Sequence, residues 1–130
     1  MRINYDCVRD LLISLEELLV FDDSLQYPST RLAQVCSFPL MINYSKADIA
    51  YSSLMLDEAG YGDFQILNAD DSIVDIIYSG ITFNGHQYLD GIKSSKVWTA
   101  VKQKVGDGAA SLTFDLIKAG ALAIGKSIFL

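Results

Sequence analysis

Apolar residues recur three and four apart from Tyr5 to Val20, at Val8, Leu12, Leu15 and Leu19, and Leu11 and Leu18 widen the stripe. This period predicts an amphipathic helix over Tyr5–Val20, capped by Asn4, with Arg9, Asp10, Glu16 and Glu17 on its polar side. The stripe suits a core; as a dimer seam it is short for a coiled coil. Phe21–Thr30 breaks the period and carries Asp22, Asp23, Ser24, Pro28 and Ser29, the composition of a surface loop. Leu32–Tyr44 regains apolar character without a clear period, and Pro39 confines any strand there to an edge or an end. One short strand is expected in it, pairing with a later hairpin.

Ser45 caps a second predicted helix over Lys46–Ala59, with Ile49, Ser53 and Leu56 facing inward beside Ala50 and Leu54. Gly60 suits the left-handed residue that ends a helix. The pattern then switches to a period of two. Phe64–Asn68 and Ile73–Tyr78, β-branched and separated by Asp70-Asp71-Ser72, predict a hairpin. Two short helices follow in tandem. Thr82 caps Phe83–Ile92, with Phe83, Tyr88, Leu89 and Ile92 apolar; Ser94 or Ser95 caps Lys96–Val105, with Val97, Trp98, Val101 and Val105 on one face. Gly106-Asp107-Gly108 reads as a hinge, and Ala109–Leu130 as a strongly apolar helix. Asp115 and Lys118 near the middle of that helix argue against a membrane span.

The stretch Ile81–Val105 brings in a resemblance. Thr82, Gly85, His86, Tyr88, Leu89, Asp90, Ile92, Lys93, Val97, Trp98 and Lys102 follow a T-x-x-GH-x-(Y/F)-LD-x-I-(K/R)…VW…K pattern. That pattern resembles a family of small bacterial and prophage-encoded proteins known only by a domain-of-unknown-function label. Asp6, Arg9, Leu11, Leu12, Glu16 and Glu17 near the start, and Leu56-Asp57-Glu58-Ala59-Gly60, resemble the same family. Ser52 departs from it, standing near a point where the family pattern has a His. The resemblance implies a winged-helix variant and attaches no catalytic role to any position.

Together these readings give an α+β, winged-helix-like domain over residues 1–105, a helical core plus a hairpin wing. An appended C-terminal helix over 106–130 packs on the domain or on a second subunit. With 130 residues, 51% of them hydrophobic, the chain suits a modest core. No signal-peptide pattern follows Met1, so a cytoplasmic location is expected, with Cys7 and Cys36 as reduced thiols. Those two cysteines and His86 are too few and too scattered for a structural zinc, and Asp22-Asp23 reads as a solvated pair. No metal and no cofactor is expected.

Charge then bears on function. The net charge is −6, which opposes non-specific nucleic-acid binding unless a local basic face exists. In a winged helix, Lys46–Ala59 would be the recognition helix, and it carries Lys46 against Asp48, Asp57 and Glu58. Tyr51 and Ser52 are its candidate contact residues, but it has no Arg to grip guanine. Tyr61–Gly80 holds Asp63, Asp70, Asp71 and Asp75 and no base. The basic candidates lie downstream, at Lys93, Lys96, Lys102 and Lys104, and read first as a solvated face. Leu116 on the last helix, with small residues at Ala119, Gly120 and Ala123, is a candidate dimer contact. His86 and Asp90, four apart, can face the same way, and the structural reading of His86 outweighs an acid–base one. No nucleophile–base set and no phosphate loop is visible. The favoured function is a non-enzymatic interaction module, a homodimer meeting protein partners. The alternative is a prophage-type DNA-binding regulator, and an enzyme using His86 ranks third.

Overall fold

The computed structural model describes residues 1–106 and 113–129. Among them are six helices and a three-stranded antiparallel sheet, an α+β fold with a C-terminal helix. The order is α1 (Tyr5–Leu18), β1 (Thr30–Arg31), α2 (Leu32–Ser37), α3 (Lys46–Glu58), β2 (Gly62–Ala69), β3 (Ser72–Ile81), α4 (Phe83–Ile92), α5 (Ser95–Gly106) and α6 (Phe114–Phe129). The chain forms two compact units, Met1–His86 and Gln87–Leu130.

In the first unit, Asn4 Oδ1 accepts the Cys7 N–H (3.1 Å) and starts α1, which packs Cys7, Val8, Leu11, Leu12 and Leu15 inward, all fully buried. Burying each such aliphatic contributes about 1.5–3 kcal/mol relative to leaving it exposed. The helix stops at Leu18, short of the expected Val20, because Leu19 leaves helical geometry (φ −101°, ψ 81°). Ser45 Oγ accepts the Asp48 N–H (3.0 Å) and caps α3 as expected. The inward face of α3 is Ile49, Ser52, Ser53 and Leu56. Ala50 and Leu54, expected on that face, are half-buried.

The segment Leu32–Tyr44 corrects the sequence reading. The strand is the preceding pair Thr30–Arg31, and Leu32–Ser37 is helical. Gln34 decides this locally: its side-chain oxygen accepts from the Thr30 hydroxyl (2.7 Å) and from the Arg31 N–H (3.0 Å), which closes a helical turn. Val35 and Met41 are fully buried on either side of Pro39.

β3 is the central strand, in the order β1-β3-β2. Thr30 and Arg31 pair with Tyr78 and Ile77, and β2 pairs along β3 from Gly62↔Ile81 to Ala69↔Ser72. Asp70, with φ 53°, turns the hairpin; a short polar side chain tolerates that left-handed geometry. Alternation sends Ile76 and Tyr78 inward; Val74, skipped by the register shift between Leu67 and Asn68, is 60% exposed. Phe64 meets Tyr78 edge to face, with ring centres 4.8 Å apart.

The second unit holds the rest of α4 together with α5 and α6. Tyr88, Leu89, Ile92, Val97, Trp98, Val101, Ile117 and Ala121 are the buried hydrophobic residues described in it. Ser94 Oγ accepts the Val97 N–H (3.4 Å), and Thr113 Oγ1 accepts the Leu116 N–H (3.1 Å), so each hydroxyl caps the helix after it. Tyr88 and Phe114 pack edge to face at 5.2 Å. A Cβ on Gly91 would lie 3.5 Å from Ala121 Cβ, so α4 and α6 touch through small residues. The expected hinge residues Asp107 and Gly108, and the Ala109–Leu112 part of the last helix, lie outside the described residues.

Candidate interaction site

Three surfaces meet where α3, the hairpin and α4 join, and a polar corner fixes them. Gly60, at φ 78°, ends α3. Its carbonyl accepts the Thr82 hydroxyl (2.6 Å), and the same Thr82 oxygen accepts the Gly85 N–H (3.1 Å). Thr82 N–H bonds the Tyr61 carbonyl (3.1 Å). Gly85 lies so close to that carbonyl that a Cβ would stand 2.0 Å from the oxygen. Thr82 therefore caps α4 and ties it to the start of β2, and Gly85 permits the approach. Asp57 Oδ1 accepts the Phe64 N–H (3.3 Å) from the other side of the corner.

α3 sorts its polar residues into two sets. Ser52 is 2% exposed, so its hydroxyl points into the fold and not toward a partner. It bonds the Cys7 side chain, whose thiol burial pushes up to about 11. Ser53 donates to the Ile49 carbonyl and shares a 2.8 Å bond with the Tyr78 hydroxyl, itself held well above its ordinary range by burial. Periodicity misplaced Ser52 because two serines occupy the inward face, where small hydroxyls let α1 and β3 close in. Tyr51 is half-buried at the edge of the face.

The outward set is acidic. Glu58, Asp63, Asp70 and Asp71 are exposed, Asp48 and Asp57 are half-buried, and Lys46 is the base of α3. Asp75 stands apart from this set. Arg31, reaching across from β1, contacts it at 2.8 Å and holds its carboxyl below the ordinary range. A reading that stops at the hairpin cannot see this ion pair, which depends on β1 pairing with β3.

His86 faces Glu16, with Nδ1 4.0 Å from Oε2, at a cleft of about 180 Å³ lined also by Leu15, Leu19, Phe21, Ser79 and Ile81. The separation exceeds a hydrogen bond. The carboxylate facing His86 is thus Glu16 of α1, where sequence spacing offered Asp90. From this cleft runs the loop Val20–Tyr27, with Val20, Phe21, Leu25 and Tyr27 all more than half exposed. Sequence composition marked it only as a surface loop. The missed signal was four large apolar residues within a polar segment.

The second unit carries the remaining candidates. Lys93, Lys96 and Lys104 are exposed; Lys102 is half-buried, with Nζ 5.5 Å over the Trp98 ring. On α6, Leu116, Ala119 and Ala123 are exposed and Gly120 is buried. A groove of about 700 Å³ lies between α4, α5 and α6, floored by Gly91, Val97 and Ala121 and bordered by Asp90, Lys118 and Leu122. Among the described residues no three His, Cys, Asp or Glu side chains cluster as a metal site, and no helix is long and apolar enough to cross a membrane.

Fold and surfaces together define a small α+β protein in two units, the first with an acidic α3 and hairpin and an apolar loop, the second with exposed lysines and an apolar groove. The chain belongs to the hypothetical-protein family DUF2513, which matches it over residues 2–111. That match takes in the first unit but for Met1, the rest of α4 and α5, and ends before α6. No curated protein and no solved structure matches the chain.

Proposed function

We propose that this chain is a non-enzymatic interaction module of winged-helix-like build, a homodimer, that meets protein and not DNA. Three helices with a short strand between the first two, followed by a hairpin, support the winged-helix reading. The observation that carries the function is the acidic balance of charge on α3 and the hairpin. Asp48, Asp57, Glu58, Asp63, Asp70 and Asp71 stand there against Lys46. Arg31, on β1, is ion-paired with Asp75. Phosphates brought to such a face meet repulsion where binding needs neutralisation.

The second unit supplies the dimer contact in this proposal. Leu122, 64% exposed, lines the groove, and Leu116, 39% exposed, lies elsewhere on α6. The groove carries one acid, Asp90, and one base, Lys118. A two-fold pairing sets Asp90 of each copy against Lys118 of the other and fills both grooves with leucine. A second reading, a DNA-binding regulator, draws on the exposed Lys93, Lys96 and Lys104 of the second unit.

Titrating the full chain with mixed-sequence duplex DNA separates the two. The interaction reading expects affinity no better than about 10⁻⁴ M near physiological salt. Tight binding with a steep salt slope sinks it in favour of the regulator. Sedimentation equilibrium then checks assembly, with a dimer expected for the full chain and a monomer for Leu122→Lys. A monomeric unmodified chain rules the dimer out.

A further inference from the structure

The loop between α1 and β1 has a combination found on no other described part of the first unit. Phe21 and Tyr27 are 55% and 89% exposed, yet their rings pack edge to face at 5.6 Å. Leu25 is 77% exposed and sits at φ 61°. That is a left-handed conformation which a branched aliphatic residue adopts only under constraint. The constraint is local. Asp22 Oδ1 accepts the Ser24 N–H (2.9 Å) and the Ser24 hydroxyl, and the Asp22 carbonyl accepts the Leu25 N–H (3.1 Å). A loop fixed this way presents its apolar side chains to solvent in one arrangement, which lowers the entropy cost of a partner binding them.

Charge supplies the other half. From Asp10 to Thr30 the chain has Asp10, Glu16, Glu17, Asp22 and Asp23 and no Lys or Arg. Glu17, Asp22 and Asp23 are exposed around the aromatic pair, and Glu16 borders the cleft into which Phe21 leads. Exposed aromatics centred in a charged rim are the makeup of a binding hot spot. The sign of the rim selects the partner: phosphate backbones and anionic membrane surfaces are repelled, and a cationic polypeptide is attracted.

We infer that Val20–Tyr27 is a docking surface for a basic amphipathic segment of a partner protein. The apolar side of that segment covers Phe21, Leu25 and Tyr27, and its Lys or Arg side chains meet Glu17, Asp22 and Asp23. This rests on the interaction-module reading and adds the place and chemistry of contact.

The probe is a fluorescein-labelled amphipathic peptide of Leu and Lys, read by fluorescence anisotropy against the full-length protein. Its counterpart with Glu in place of Lys is the control. The Lys peptide is expected to bind and the Glu peptide not. Phe21→Ser with Tyr27→Ser should weaken binding about tenfold or more, the loss typical of removing a hot-spot aromatic. Leu25→Gly removes the side chain while suiting the backbone, so binding falls with thermal stability kept or raised. Asp22→Asn with Asp23→Asn should flatten the salt dependence. Asp70→Asn with Asp71→Asn, on the hairpin, should leave affinity unchanged. Equal binding of both peptides, full affinity in the Phe21/Tyr27 variant, or an equal loss in the hairpin variant overturns the proposal. If the loop proposal fails in a protein that still ignores DNA, the interaction reading stands; tight duplex binding removes that reading.

Discussion

The two units are held together by different means. The first closes through directed polar contacts, some inside its apolar core and some at its edge. Thr82 bridges Gly60 and Gly85, Ser53 bonds Tyr78, and Ser52 bonds Cys7. The second closes through helix packing over small residues, with Gly91 against Ala121 and Tyr88 against Phe114. Directed contacts fix one geometry and punish substitution, whereas small-residue packing leaves room for change and for another helix. The first unit therefore offers preformed surfaces, and the second offers a groove to be filled.

α4 contributes a glycine to each unit, and the same substitution tests both. Gly85→Ala drives a Cβ onto the Tyr61 carbonyl and should cost about 3 kcal/mol or more, measured by urea denaturation. A loss below half of that breaks the contrast. Thr82→Val removes the cap and the Gly60 bond together and should cost about 2 kcal/mol by the same measurement. Tyr78→Phe deletes one buried hydroxyl; Ser53 keeps its bond to Ile49, so the cost should be about 1 kcal/mol. Gly91→Ala has the opposite sign. Its Cβ meets only ordinary contact, and the helix gains about 0.5–1 kcal/mol from losing a glycine. Smallest near neutrality is a pH effect confined to the first unit. Burial lifts the Cys7 thiol from its ordinary 9.0 to about 11, so over that interval the folded state holds a proton that the unfolded state has lost. Stability is then complete below pH 9 and declines as pH rises, with Tyr44 and Tyr78, also raised, adding to the decline above it. Thermal melts across the alkaline range should show that slope.

Much of the fold was legible because local rules and tertiary packing agree. Asn4, Ser45, Thr82 and Ser94 all cap the helices that follow them. α4 has the bounds its spacing predicts, and the hairpin turns at Asp70-Asp71. Reading failed where a polar residue serves the interior. Ser52 scores as surface in any hydrophobic period, yet it lies against Cys7 in the core. Gln34 gives no apolar signal, but its side chain decides that Leu32–Ser37 is helical. The site was less legible still. Glu16 and His86 are paired by the fold across most of the first unit's sequence. The loop's apolar side chains were hidden among acids and turn formers. An acidic α3 and hairpin were visible in advance, and only pairing of β1 removed Asp75 from that set.

The brevity of β1 has one more consequence. It covers β3 at Ile77 and Tyr78, so along Ser72–Ile76 the flank of β3 away from β2 has no strand neighbour among the described residues. A bare flank of this kind is a template for another extended chain. The exposed carboxylates of Asp70 and Asp71 stand at its outer end and oppose such stacking by like charge. Without those side-chain charges the hairpin tip would become the starting point for copies of the chain to associate edge to edge.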